Sequence, residues 1–142
     1  MAREANSPHV AVAIIRRGEA ILAIRRRSDP MAGGWEFPEV TVEEGGAPEE
    51  ALRREVLGRL GCSLSTMWPL DVIEYDCPDL HLSMDCFVCI PAQGEEPVAR
   101  EHQELRWLTA GELLSVEWLP ANRAIVTELG MAWSEIFSEN RF

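Results

Sequence analysis

The sequence predicts an α/β sandwich in which a mixed β-sheet is covered by helices on both faces. Strand-like runs come first, helical periodicity is interspersed among them, and no internal repeat or linker is visible. A chain of 142 residues is long enough to bury one hydrophobic core without disulfide bonds. We therefore predict a single domain over residues 1–142.

The first two strands are predicted to form a β-hairpin. HVAVAIIRR and AILAIRRR are strand-like runs that are largely apolar up to their closing arginines. A turn at Gly18 and Glu19 separates them.

The next segment is predicted to contain a strand, a turn and a helix. WEFPEVTV is strand-like, a turn follows at Gly45 and Gly46, and the helix has Pro48 in its first turn and ends at Gly61. Proline near the start and glycine just past the end are the expected boundaries of a helix. One face of this helix is apolar, and its residues are Ala51, Leu52, Val56 and Leu60.

The following region is predicted to be a second, longer hairpin. Residues 64–75 and 81–90 are apolar-rich, and a turn around Pro78 separates them. After a polar loop, residues 104–108 are predicted to form a short strand.

Two helices are predicted to complete the fold. Thr109 is followed three residues later by Glu112, which is the spacing of a capping box, so a short helix begins there. The last helix begins at about Ala121, after Pro120. Its apolar face comprises Ile125, Val126, Leu129, Ala132, Trp133, Ile136 and Phe137.

Composition narrows the class of partner. The net charge is −11, whereas a nucleic-acid-binding surface requires a basic patch. No apolar run reaches the roughly 18 residues that span a bilayer, and residues 1–8 are too polar for a signal peptide. We therefore expect a cytoplasmic protein that binds neither nucleic acid nor membrane, and the sequence leaves its oligomeric state open.

The cysteines are predicted to be buried rather than metal-binding. Cys86 and Cys89 lie three residues apart in a strand-like run, so their side chains point to opposite faces and cannot grip one metal ion together. The same interpretation applies to Cys62 and Cys77.

Residues 35–62 carry a family resemblance. WEFPEVTVEEGGAPEEALRREVLGRLGC resembles the Nudix box, G-x5-E-x7-R-E-U-x-E-E-x-G-U with U aliphatic, and WEFP is typical of its MutT-like branch. The matching positions are Arg54, Glu55, Val56 and Gly61, with Cys62 at the last aliphatic position. The differing positions are Val40, Gly46, Gly58 and Arg59.

The resemblance extends beyond the box and implies further site residues. EYDCPDLHLSMDCFVC resembles the MutT-like hairpin Y-x-x-P-D-x-H. AREHQELRWL resembles the following segment of the family, and by that match Glu101 is the acid carried over to the metal site, as a ligand or general base. WLPANRAIV resembles the start of the family's last helix, which makes Asn122 the candidate for base recognition or, equally, for helix capping. The family's phosphate-contacting arginine corresponds to Arg25 or Arg26, of which strand alternation lets only one face the cleft. Glu36 of WEFP is a further candidate for substrate binding.

The differing positions fall on the metal ligands. In the family, glutamates on one helix face hold divalent ions, whereas here Gly58 and Arg59 replace two of those positions and Glu55 remains. Gly46 replaces a further glutamate of the box, which precedes the helix. Arg59 follows Glu55 by one helical turn, so the two can pair, and Arg59 places a fixed positive charge where a metal would lie. The expected cofactor is Mg²⁺ or Mn²⁺ if the protein is active, at a weak site of Glu55 and Glu101, and none otherwise.

The resemblance implies the fold of the family and the class of nucleoside triphosphate diphosphatases. Because most metal-ligand glutamates are absent, we expect a protein that binds a nucleotide, or another small molecule containing a nucleoside diphosphate, with weak or lost hydrolysis. One alternative is an active Mg²⁺- or Mn²⁺-dependent hydrolase of substrates such as 8-oxo-dGTP or CTP, in which Glu43 or Glu44 replaces the acid lost at Gly46. A second alternative is a protein-interaction module.

Overall fold

The computed structural model describes residues 9–27, 32–78, 80–99 and 104–136. Strands come first in this part of the chain and helices are interspersed among the later ones, as the sequence predicts. The strands are β1 (His9–Arg17), β2 (Ala20–Arg25), β3 (Trp35–Glu36), β4 (Glu39–Val42), β5 (Leu64–Cys77), β6 (Leu80–Pro91) and β7 (Leu105–Leu108). The helices are α1 (Pro48–Leu60), a 3₁₀ helix (Ala110–Ser115) and α2 (Pro120–Ile136).

Strand β1 organises the mixed sheet. It runs parallel to β6 along one edge, and β6 pairs antiparallel with β5. On its other edge, β1 pairs with β4 over residues 9–12 and with β2 only at Arg16 and Arg17. Strand β2 in turn pairs antiparallel with β3 and β7. Both predicted hairpins, β1 with β2 and β5 with β6, are confirmed.

The predicted single strand over residues 35–42 is wrong, because this segment forms two short strands with different neighbours. Glu36 in β3 is paired with Ile24 of β2, whereas Glu39 in β4 is paired with Val12 of β1. Pro38 lies between the two strands and has no N–H to donate, and its carbonyl accepts a hydrogen bond from Ala13. The chain therefore crosses from one part of the sheet to another.

The turn before α1 lies one residue earlier than the sequence prediction. The Gly46 N–H donates to the Glu43 carbonyl at 2.8 Å, so Glu44 and Gly45 are the central residues. Gly45 has φ of +81°, a conformation that side chains disfavour, and this explains why glycine is needed at that position.

The helices cover opposite faces of the sheet. Leu52, Val56 and Leu60 of α1 pack in one apolar cluster, whose sheet residues include Ala11 and Ile15. Ile125, Val126 and Leu129 of α2 pack in the other, whose sheet residues include Val12 and Ile14. These two cores confirm the predicted α/β/α sandwich. The side chains of Ala132 and Ile136, and all of Phe137, lie outside the described part of the chain.

The predicted helix boundaries are also confirmed. α1 begins with Pro48, and Gly61 follows its last residue with φ of +64°, donating its N–H to the Leu57 carbonyl at 3.0 Å. Before the 3₁₀ helix, the Glu112 carboxylate accepts hydrogen bonds from the Thr109 N–H at 2.9 Å and the Thr109 hydroxyl at 3.1 Å. These bonds hold the pKa of Glu112 below its ordinary value.

The predicted burial of the cysteines is confirmed for the side chains that the structure describes. Cys86 packs in the α2-side core, and Cys62 and Cys89 pack in the α1-side core. Burial raises the pKa of Cys86 and of Cys89 to about 12, so both thiols stay protonated at neutral pH. The side chain of Cys77 lies outside the described part. Among the described residues, no helix combines the length and the apolar character needed to cross a membrane.

Candidate functional site

A buried carboxylate stands at the centre of the candidate site. The Glu36 side chain in β3 is only 4% exposed and forms a salt bridge with Arg26, the residue that directly follows β2. Nη2 of Arg26 donates to Oε1 of Glu36 at 2.6 Å, and Nε donates to Oε2 at 3.4 Å. This two-point contact compensates for the burial of the carboxylate. The hydrogen bond to Glu36 raises the pKa of Arg26 above its ordinary value.

Arg59 of α1 approaches the same carboxylate from the helix side. Its Nη2 lies 3.6 Å from Oε2 of Glu36, and its Nη1 lies 3.7 Å from Oε2 of Glu55. The pairing with Glu55 that the helical spacing predicts is therefore present. Both distances exceed hydrogen-bond length, so Arg59 is held between the carboxylates by charge rather than by direct donation.

Glu39 adds a third carboxylate beside this group and is a residue that the sequence analysis missed. Burial raises the pKa of Glu39, and the negative charge of Glu36 raises it further. Its signal in the sequence is an acid between two apolar strand segments, a pattern that could equally mark a solvent-exposed strand position. We call Arg26, Glu36, Glu39, Glu55 and Arg59 the arginine–glutamate cluster.

The structure resolves which of two adjacent arginines faces this cluster. Arg26 turns toward Glu36, whereas Arg25 turns to the surface. Nη1 of Arg25 lies 3.1 Å from Oε1 of Glu104, and its Nε donates to the Gly33 carbonyl at 3.3 Å. Strand alternation had left the choice between Arg25 and Arg26 open.

Asn122 lies in the first turn of α2 and is buried, at 4% exposure. Its Oδ1 accepts a hydrogen bond from the Phe37 N–H at 2.9 Å, across the junction between β3 and β4. This contact fixes the orientation of the amide, because only the oxygen can face an N–H. The Asn122 side chain thus makes a tertiary contact with Phe37 in place of the alternative helix cap. The Phe37 ring in turn stacks on Trp118 with a centroid distance of 4.7 Å.

The carboxylates described by the structure do not fit a divalent metal ion. Mg²⁺ requires oxygen ligands in near-octahedral geometry, but Glu36 and Glu55 both face the guanidinium of Arg59. Within residues 9–27, 32–78, 80–99 and 104–136, no group of three or more His, Cys, Asp or Glu residues is arranged to hold a metal. Glu101, the other expected ligand, lies outside these ranges.

A cavity of about 430 Å³ lies between β4 and the start of α1, beside the cluster. Glu55 lines it together with Glu43, Glu50 and Arg54. Glu43, a proposed replacement for the acid lost at Gly46, therefore shares a cavity with Glu55. Within the described part of the chain, these carboxylates do not form a group of three or more that could hold a metal ion.

Comparison with known proteins shows what this chain is similar to. Residues 10–128 match the family model of the NUDIX domain. An Escherichia coli protein named 8-oxo-dGTP diphosphatase is 31% identical over 122 residues, which cover 84% of this chain and 94% of the relative. A Mycobacterium tuberculosis protein with the provisional name 8-oxo-dGTP diphosphatase 2 is 34% identical over 120 residues, covering 84% and 85%.

Solved structures show the same fold. A structure from a study of the MutT proteins of Aliivibrio salmonicida and Vibrio cholerae is 26% identical, with a TM-score of 0.73, and covers 88% of this chain and 98% of its own. The Escherichia coli ORF135 protein is 25% identical, with a TM-score of 0.76, and the match covers 94% and 95% of the two chains.

Proposed function

The chain belongs to the Nudix family, in its MutT-like branch, and on that premise we propose that it binds nucleoside triphosphates with weak or lost hydrolysis. Nudix hydrolases act on nucleotide substrates and generally use Mg²⁺ or Mn²⁺. On this proposal, the protein retains the nucleotide binding of the family and has lost most of its metal-dependent hydrolysis.

The observation that carries this proposal is the position of Arg59. Glu55 matches a metal-ligand position of the family, and its carboxylate lies 3.7 Å from the Arg59 guanidinium. A divalent ion at this point would have to displace a fixed positive charge or lie beside it. Loss of metal ligands is costly, since even residues that only support a ligand typically contribute about 10- to 100-fold to affinity or activity.

Asn122 supports a purine as the base. Because its Oδ1 accepts from Phe37, the NH₂ group is the part of the amide that remains to donate to a base. A purine carries acceptor atoms on its edge that such a donor can recognise. The relatives named 8-oxo-dGTP diphosphatase make 8-oxo-dGTP the first ligand to test.

The alternative of an active hydrolase is favoured by the names of those relatives. It requires that Glu55, Glu101 and Glu43 together replace the usual set of ligands. A third candidate, a protein-interaction module on this fold, requires no nucleotide at all.

Two measurements on one set of proteins separate these candidates. Pyrophosphate and phosphate release is measured with a panel of ribo- and deoxyribonucleoside triphosphates, including 8-oxo-dGTP and CTP, in Mg²⁺ and in Mn²⁺. The thermal midpoint is measured with the same ligands, because a ligand that binds only the folded state raises it. Wild type is compared with Glu55→Gln and with Glu49→Gln, a matched loss of charge on the exposed side of α1.

We expect at least one nucleotide to raise the thermal midpoint, with no release above that of Glu55→Gln. Release that Glu55→Gln abolishes and Glu49→Gln preserves would establish the active hydrolase instead. A thermal midpoint that no nucleotide changes would favour the interaction module.

A further inference from the structure

The proposed nucleotide site leaves one physical problem, because a triphosphate is strongly negative and needs a positive partner. In the family a divalent ion fills that role, and the described carboxylates do not fit one. The cluster nevertheless contains two guanidinium groups that meet at a single carboxylate, Glu36, at 2.6 Å from Arg26 and 3.6 Å from Arg59. We propose that Arg59 supplies this positive charge from within the chain, so that the phosphates bind as a metal-free anion. This inference rests on the proposed function.

Arg59 has the contacts that such a role requires. Its guanidinium is held in place by two carboxylates, yet this group donates no hydrogen bond to any residue in the described part of the chain. Its side chain is 28% exposed, so solvent and a ligand can reach it. A guanidinium presents five N–H donors in a planar fork that matches two oxygens of a phosphate.

Glu36 acts as the positioning residue. Its two oxygens face different arginines, Oε1 toward Arg26 and Oε2 toward Arg59, and its burial prevents it from turning to solvent. The two guanidinium groups are therefore both held by Glu36 before a ligand binds. This reduces the entropic cost of ordering these side chains when a phosphate binds.

Glu55 has the opposite role and competes with the ligand. It is 31% exposed, so it can turn toward solvent when a phosphate takes its place beside Arg59. In a metal site, Glu55 would strengthen phosphate binding by holding the ion. In the arrangement proposed here, Glu55 weakens phosphate binding because it neutralises Arg59. The sign of the Glu55 effect thus distinguishes the two modes of binding.

The experiment measures binding by isothermal titration calorimetry, with each protein in EDTA and in MgCl₂. The probes are the α,β-methylene analogue of dGTP, which resists cleavage, and inorganic tripolyphosphate, which tests the phosphate contact alone. Wild type is compared with Arg59→Gln, Arg59→Lys and Glu55→Gln. The matched control is Arg123→Gln, on an exposed arginine of α2. Circular dichroism verifies that each variant is folded, and Arg59→Lys keeps the charge if Arg59→Gln does not fold.

We expect both probes to bind in EDTA at least as tightly as in MgCl₂. Arg59→Gln should weaken binding in EDTA about tenfold or more, because a hydrogen bond between charged groups is lost. Arg59→Lys should weaken it less, since the charge remains without the fork. Glu55→Gln should tighten it about two- to fivefold, and Arg123→Gln should leave it unchanged.

The outcomes separate this inference from the proposed function. If the dGTP analogue binds only with MgCl₂, or if Arg59→Gln binds it in EDTA like wild type, the inference fails and nucleotide binding stands. If tripolyphosphate binds in EDTA through Arg59 but the dGTP analogue does not bind, the nucleotide proposal fails and the anion site stands. If neither probe binds under either condition, both are overturned.

Discussion

Nη2 of Arg26 lies 2.6 Å from Oε1 of Glu36, and this pair is largely enclosed, with side-chain exposures of 29% and 4%. The neighbouring pair of Arg25 and Glu104 has a similar distance of 3.1 Å but exposures of 52% and 44%. Adjacent arginines therefore provide the same chemistry in two environments. Water screens the charges of the exposed pair. The buried carboxylate of Glu36 has little contact with water, so its charge depends on its arginine partners.

The first prediction concerns stability. Glu36→Gln should lower the free energy of unfolding by about 1–3 kcal/mol, because Arg26 and Arg59 lose the carboxylate that faces both of them. Glu104→Gln should change it by less than about 0.5 kcal/mol, since its pair is exposed. Urea denaturation of the two variants and wild type measures both values. Equal losses in the two variants would show that burial does not strengthen the pair at Glu36.

The second prediction concerns Asn122. Asn122→Asp keeps an acceptor for the Phe37 N–H and removes the NH₂ donor, so it should weaken binding of the dGTP analogue and leave tripolyphosphate binding unchanged. Calorimetry with the two probes measures this separation. Asn122→Leu also removes the acceptor, and it should lower the free energy of unfolding by about 1–3 kcal/mol because the Phe37 N–H is left unsatisfied. Equal weakening of both probes by Asn122→Asp would place Asn122 outside base recognition.

The third prediction concerns pH and the tip of the second hairpin. Nδ1 of His81 lies 2.5 Å from Oδ1 of Asp76, and its Nε2 lies 2.6 Å from Oε1 of Glu74. These two bonds, that of Asp76 first, raise the pKa of His81 above the ordinary value of 6.5. The stabilisation from protonated His81 is therefore complete below pH 6.5 and is lost as pH rises through the folded pKa.

NMR titration of the imidazole signals measures the pKa, and a His81→Gln variant assigns the His81 signal. Asp76→Asn and Glu74→Gln should each lower the pKa of His81 toward 6.5. The stability difference between wild type and His81→Gln should shrink as pH rises above neutrality. A pKa in wild type at or below 6.5 would contradict the contacts at both nitrogens.

Local patterns predicted those parts of the fold that depend on neighbours in sequence. Pro48 and Gly61 mark α1, and the Thr109–Glu112 capping box marks the 3₁₀ helix, because these signals act within one or two turns. The sequence did not predict the split between β3 and β4, because the split depends on which neighbouring strands pair with each of them. Pro38 allows that split but does not require it, since proline is also tolerated at strand edges.

The same distinction applies to the site. The pairing of Glu55 with Arg59 follows from helical spacing alone, and the structure contains it. The meeting of Arg26, Glu36 and Arg59 depends on how β2, β3 and α1 pack, which no periodicity in the sequence expresses. Burial of Glu36 was equally hidden, because an acid in a strand ordinarily indicates an exposed face.

The fourth prediction is that the metal site can be rebuilt. A Cβ added at Gly58 would meet no atom within 4 Å, so a glutamate can be introduced there, and it should favour the helix by about 0.5–1 kcal/mol over glycine. Arg59→Glu then replaces the positive charge between Glu36 and Glu55 with a carboxylate. The double variant Gly58→Glu, Arg59→Glu should therefore bind Mn²⁺ at the cluster, whereas wild type should bind it weakly or not at all.

Electron paramagnetic resonance measures this gain, because the signal of free Mn²⁺ decreases on binding. Gly58→Glu alone is the matched control, since it adds a carboxylate and keeps Arg59, and we expect it to bind Mn²⁺ much more weakly than the double variant. Adding Glu55→Gln to the double variant should reduce the affinity again if the ion lies at the cluster. Mn²⁺ affinity equal in the double variant and in wild type would show that Arg59 is not what keeps a divalent ion from these carboxylates.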